Sequence, residues 1–374
     1  MKQQLFHVTK ATLSSLLCAL MSLPTWAFES GSTGADGVLA PTEDTTLTVP
    51  VSGLLQYESV NIPTGVTVRF IDDTTVPGNP PLNILVQGDA VINGTIDLRG
   101  ANGDLPFTTA LPPGGFAGGV LQSTQGGPGQ GPGGSAGGDD GGNGGTYAAR
   151  GASGRNNGSY LGPIYGSESL QPLIGGSGGG SVARRPNVPL NVFLQGGSGG
   201  GAMLLAVSGT LSHNGSILAT GGLGAPLSST ANVTDATGGG SGGAIRLVAS
   251  TLTGSGSLDV SGGPGGIGTV NRGGAGGHGR TRLEADRFEF VGSVIPAQIS
   301  SFDIALPQPI FPANLPTVRI STVAGSAVPA NPTGVNDVAL PSSISNPVTI
   351  EFATTQVPLG STIALTVTPA VPAP

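Results

Sequence analysis

The chain has 374 residues, of which 67 are glycine and 31 proline, with 9% charged, 4% aromatic and a formal net charge of −7. Glycine and proline together make up roughly a quarter of it, about twice ordinary usage, which excludes an ordinary helical or doubly wound enzyme. The hydrophobic share of 37% excludes solvated disorder, so a core can form.

Lys2 and Lys10 precede an apolar run over 11–23, followed by Pro24, Thr25, Trp26 and Ala27. This pattern predicts a secretory signal peptide over residues 1–27, with small residues at Thr25 and Ala27 and a mature chain starting at Phe28. The run is too short to span a membrane, and no later segment reaches the roughly 18 apolar residues a span needs. Cleavage would remove Cys18, Trp26 and both lysines, leaving twelve arginines against 21 acidic residues. Cys18 follows Leu17, where a lipoprotein signal wants Gly or Ala, so it reads as part of the leader. Disulfides, thiolate nucleophiles, cysteine metal sites and lysine Schiff bases are then excluded from the mature chain. An acidic, lysine-free chain is also a poor ligand for nucleic acid or anionic lipid.

Residues 28–295 carry an internal repeat. Ala202-Met-Leu-Leu-Ala-Val207 with Gly215-Ser-Ile-Leu-Ala-Thr-Gly-Gly222 matches Ala244-Ile-Arg-Leu-Val-Ala249 with Gly256-Ser-Leu-Asp-Val-Ser-Gly-Gly263 almost position for position. A third copy lies at Asn83–Val86 and Gly94–Gly100, and a partial fourth at Gly277–Ala285. Each is a pair of short runs with period-2 patterning bounded by Gly and Ser, a strand signature. Alternation places Met203, Leu205, Val207, Ile245, Leu247, Ala249, Leu258 and Leu283 on an inner face, and every formal charge, Arg246, Arg282, Glu284, Asp97 and Asp259 among them, on the outer one. Such strands cannot bury a face singly, which predicts an all-β fold: a parallel β-solenoid, or β-helix, with each coil's backbone paired to the next. Between about residues 101 and 200, tracts such as Gly126–Gly134 and Gly137–Gly145 predict long Gly-rich loops, excursions folding back as extended polyglycine-like ribbons. A Pro-rich linker over 296–316 leads to residues 317–374. There Val318 and Ile320, then Val348, Ile350 and Phe352, then Ile363, Leu365 and Val367 alternate, predicting a small immunoglobulin-like β-sandwich.

The phrases Gly239-Gly-Ser-Gly-Gly-Ala-Ile-Arg-Leu-Val-Ala249 and Gly276-Gly-His-Gly-Arg-Thr-Arg-Leu-Glu-Ala285, with Gly31–Gly37 and Val60–Val66, resemble a group of exported, Gly-rich bacterial proteins. The resemblance covers most of the mature chain. It implies an extracytoplasmic, secreted or cell-envelope location and brings no catalytic motif or activity with it.

Reactive residues are few. His213, two residues before Gly215, and His278, between two glycines, stand in no metal-ligand spacing, and the Gly-x-Ser-x-Gly strings at 196–200 and 239–243 are low-complexity tracts rather than nucleophile elbows. Glycoside hydrolysis needs two carboxylates flanking a bond. Asp97 and Asp259 occupy equivalent outward positions and would stack within reach if their coils were adjacent, and Asp72, beside Asp73, is a further candidate. Asp139 and Asp140, in a Gly-rich loop near Asn143, supply oxygen ligands for Ca²⁺, although the surrounding sequence departs from the nonapeptide of calcium β-rolls. The reading favoured by the repeats, the leader and the scarcity of reactive groups is a non-enzymatic exported surface or envelope protein, structural or adhesive, without a cofactor. Its expected partners are cell-surface polysaccharide or other envelope proteins. The alternative is a β-helix that binds or cleaves polysaccharide through Asp97, Asp259 or Asp72.

Overall fold

The structure is a computed structural model. It describes residues 28–365 apart from 74–78, 105–109, 123–124, 156–159, 184–193, 227–233, 298–301, 312–316, 330–337, 356 and 358–364. The expected signal peptide over 1–27 lies outside these residues, as do Ile363 and Val367. Every regular element among the described residues is a strand.

Two large parallel sheets carry the molecule, and their strands alternate along the sequence. The larger, nine-stranded sheet contains β1 (Val38–Leu39), β3 (Leu54–Tyr57), β4 (Ser59–Ile62), β6 (Leu82–Val86), β7 (Ala90–Ile92), β11 (Ala202–His213), β13 (Ala244–Gly254), β15 (Arg280–Phe290) and β17 (Phe302–Ala305). The six-stranded sheet contains β2 (Thr45–Thr48), β5 (Thr67–Ile71), β8 (Thr95–Asp97), β12 (Ser216–Leu218), β14 (Ser257–Asp259) and β16 (Ser293–Ile295). A small antiparallel pair, β9 (Leu121–Gln122) and β10 (Gln125–Gly126), lies in the Gly-rich region. Near the C-terminus β18 (Thr317–Val323), β19 (Ser326–Ala327) and β20 (Ile350–Thr355) form an antiparallel sheet.

Register aligns like with like. Met203, Leu205 and Val207 pair with Ile245, Leu247 and Ala249, and Leu247 pairs in turn with Leu283. In the smaller sheet Ile217 sits between Ile96 and Leu258. These side chains form one buried core between the sheets, together with Ile62, Phe70, Ile84, Leu211 and Leu252. The alternation of apolar and polar residues dictates this arrangement, since each strand turns one face inward.

The glycine tracts are extended polyglycine-like ribbons, as expected, but they lie packed against one another. They are not loops. Segment 195–201 donates its backbone N–H groups to three different neighbours in strict rotation. Gln195, Ser198 and Gly201 donate to Gly103, Ala101 and Leu98; Gly196 and Gly199 to Gly119 and Phe116; Gly197 and Gly200 to Gly238 and Ser241. Segment 237–243 repeats the pattern. Thr237, Gly240 and Gly243 donate to Ala225, Gly222 and Ala219; Gly238 and Ser241 to Gly180 and Ser177; Gly239 and Gly242 to Gly274 and Gly277. A direction that recurs every third residue is that of an extended three-residue helix. The tracts therefore pack side by side as a bundle of such helices, cross-linked by backbone alone.

Glycine is needed there for space rather than for backbone freedom. None of the glycines in 196–201, 238–243 or 273–279 has a positive φ, whereas those in turns such as Gly31, Gly37 and Gly65 do. A Cβ at Gly199 would lie 1.8 Å from the carbonyl oxygen of Gly176, and one at Gly240 2.0 Å from that of Ser198.

The expected architecture is corrected accordingly. In place of a β-solenoid with Gly-rich loops, the chain builds two large parallel sheets of alternating strands with a packed glycine bundle. Among the described residues the C-terminal region shows a three-stranded antiparallel sheet, part of the expected sandwich. Strand periodicity says nothing about residues that pack through their backbones, so it does not reveal that the ribbons form a packed interior. Lying on the outer face does not leave the charges in water. Arg246, Arg282 and Glu284 are buried, and Leu85, Leu204, Ala206 and Val248 on the same face are covered by Phe28, Leu54, Leu173 and Ile310.

Candidate functional site

The outer face of the six-stranded sheet carries an ordered set of polar residues. Alternation turns Val68, Ile96, Ile217, Leu258 and Val294 inward, so their predecessors point out. Thr67, Thr95, Ser216, Ser257 and Ser293 pair in unbroken register across five neighbouring strands. The result is a line of hydroxyls spaced about 4.8 Å apart. Its first four members are half-buried and Ser293 is exposed; the Ser216 and Ser257 Oγ atoms are 3.0 Å apart.

Two residues along the strands runs a second outward line. Arg69, Asp97, Leu218, Asp259 and Ile295 follow one another in register. Asp97 and Asp259 thus share a line but are not neighbours. Leu218 stands between them, and two strand spacings separate their backbones by about 10 Å. Asp97 is buried and holds the guanidinium of Arg99 through two 2.9 Å contacts, Nε to Oδ1 and a terminal nitrogen to Oδ2, while the Arg99 backbone N–H donates to Oδ1 at 3.0 Å. Burial alone would raise the pKa of this carboxyl; the Arg99 hydrogen bonds, with the charges of Arg99 and Arg69, outweigh it and leave Asp97 below its ordinary value. Asp259 turns back in the same way, accepting the Ser261 N–H at 2.9 Å. Both carboxylates cap the chain two residues on, which is a common structural use of aspartate.

Asp72 lies outside this line. Its Oδ1 accepts the Leu111 N–H at 2.7 Å and its own N–H donates to the Leu111 carbonyl at 2.9 Å, tying together two chain segments. Desolvation raises its pKa, with a smaller contribution from Asp73, and the backbone hydrogen bonds only partly offset this. Asp139 is exposed and Asp140 half-buried. Asn143 is buried within the glycine bundle, where its Oδ1 accepts the Gly154 N–H at 2.9 Å and its amide donates to the Tyr160 carbonyl at 3.3 Å. Its side chain therefore serves packing. Among the described residues no group of three or more His, Cys, Asp or Glu side chains converges as metal ligands would.

Three buried polar clusters escaped sequence reasoning. Glu284 accepts from Arg246 Nε at 2.8 Å, from Arg282 Nε at 2.7 Å, from a terminal nitrogen of Arg246 at 3.1 Å and from the Gln308 backbone N–H at 2.6 Å. Four donors saturate this carboxylate and strap the segment around Gln308 onto the larger sheet. Tyr147 and Tyr165 pack with tilted rings whose centroids are 4.6 Å apart, and burial drives both phenols well above their ordinary pKa. His213 is buried, its Nε2 lies 3.1 Å from the Ser257 carbonyl and its ring stacks on Phe290. The charges of the first cluster were legible as a face; what covers that face was not.

No helix among the described residues is long and apolar enough to cross a membrane. Comparisons of the chain with protein families, with curated proteins and with solved structures return no match.

Proposed function

We propose that this is a non-catalytic, exported structural or adhesive protein that holds a hydroxyl-rich polymer, such as cell-surface polysaccharide, against the outer face of its six-stranded sheet. The observation that carries the reading is the in-register line from Thr67 to Ser293 beside the Asp97–Arg99 pair. Hydroxyls both donate and accept, and a charged pair adds stronger hydrogen bonds at a fixed place. A polymer with regularly spaced hydroxyls can meet such a line at successive points, so that weak contacts add. The carboxylates on this face are engaged in capping and ion pairing, which supports binding rather than turnover. Export rests on the leader-like residues 1–27.

The test is retention of the purified chain on insoluble polysaccharides and on a glycan array. The expected result is binding that falls at least tenfold when Thr95, Ser216 and Ser257 are replaced together by Val, Ala and Ala. Unchanged binding by that variant, or release of reducing sugar from any retained polysaccharide, overturns the reading.

A further inference from the structure

The inner side chains stack in continuous columns, and both ends of those columns are open. One column runs Leu55, Ile84, Leu205, Leu247, Leu283, Ile304. Its middle members are no more than 1% exposed, whereas Ile304 at the last strand is 50% exposed. A second runs Leu39, Val60, Ala90, Leu211, Leu252, Phe288, and Phe288 is 38% exposed after a buried Leu252. In the smaller sheet the column ending in Ile217, Leu258 and Val294 leaves Val294 half-buried. At the other end Leu39, Leu47 and Leu55 are likewise only partly covered.

The strands at these ends are also edges. Among the described residues β16 pairs only with β14 and β17 only with β15, while β1, β2 and β3 pair only with β4, β5 and β6. Such edges are commonly blunted by lysine or proline; Ser293-Val-Ile295 and Phe302-Asp-Ile-Ala305 contain neither. All these pairings are parallel, so the two ends face opposite ways along one stacking direction and present the same pattern of columns.

We propose that the two ends bind each other, so that a second copy of this chain seats its β1, β2 and β3 on β15, β16 and β17 of the first. All three columns continue across the junction, covering Phe288, Val294 and Ile304, and β1 and β2 can extend the two sheets; at β3 Asp36 already holds the Gln56 N–H and carbonyl and must be displaced for the backbone to pair with β17. The contact is head-to-tail, and a head-to-tail contact that does not close into a ring propagates as a linear array.

Sedimentation velocity on the full chain over a concentration series, with electron microscopy of the largest species, tests this. The expected result is growth into unbranched linear oligomers. Ile304→Lys at one end and Leu39→Lys at the other should each give monomers, and mixing the two should give a 1:1 dimer, because each retains one intact end. Thermal melts followed by circular dichroism confirm that each variant is folded, and Phe288→Lys replaces Ile304→Lys should the latter unfold. A wild-type chain that stays monomeric up to its solubility limit, a closed dimer that does not extend, or variants that mix without pairing would each overturn the proposal.

Discussion

At the residue scale, single atoms decide whether a position tolerates change. Gly240 and Gly65 are both glycines, yet for opposite reasons. Gly65 has a φ of +83° with open space where a Cβ would go, while Gly240 would place that Cβ 2.0 Å from the Ser198 carbonyl oxygen. Gly240→Ala should therefore cost about 3 kcal/mol or more by forcing two backbones apart, and Gly65→Asn about 1 kcal/mol or less, since asparagine visits the left-handed region at little cost. Denaturant melts of the two variants check this, and equal losses would contradict the spatial argument. His213 gives a pH dependence. Desolvation holds its folded pKa below the ordinary 6.5, only partly opposed by the Ser257 carbonyl. The unfolded chain then binds the proton first, so stability falls as pH drops through 6.5 toward the lowered folded value. The melting temperature should be lower at pH 5.5 than at pH 7.5, and His213→Leu should reduce that difference.

At the scale of elements, the Arg246–Glu284–Arg282 cluster fastens a segment to a sheet face. Removing one member of a buried ion pair leaves the rest uncompensated and costs about 3–5 kcal/mol. Glu284→Ala should lose stability of this order and free the residues around Gln308, which donate to Glu284 and accept from Arg246. Limited proteolysis should cut the variant between residues 305 and 311 faster than wild type; unchanged cleavage would show that apolar contacts such as Ile310 hold the segment unaided. The sequence placed these charges together on the outer face and no more, because alternation reports only that a side chain leaves the core. It cannot report what arrives later in the chain to cover it.

At the scale of the whole molecule, the glycine bundle and the two sheets form one hydrogen-bonded body. Gly201 illustrates the junction: it donates to Leu98 at the end of one repeat, while its own carbonyl accepts from Ala244 at the start of β13. Amides in 196–201 and 237–243 should accordingly exchange with deuterium as slowly as those in β11 and β13. Loops of the same composition would exchange within the earliest time points, so fast exchange would refute the bundle.

What the sequence by itself determined was the set of inner side chains, from Met203 through Leu258 to Leu283, because strand alternation is a local rule and the repeats apply it several times in the same register. It also singled out Asp97 and Asp259 as equivalent positions. Tertiary structure alone decided that Leu218 stands between them, that hydroxyls from five separate strands form one line, and that the glycine tracts are packed interior. Those outcomes depend on which distant segments become neighbours. Glycine, having no side chain, leaves no apolar pattern from which such neighbours can be read.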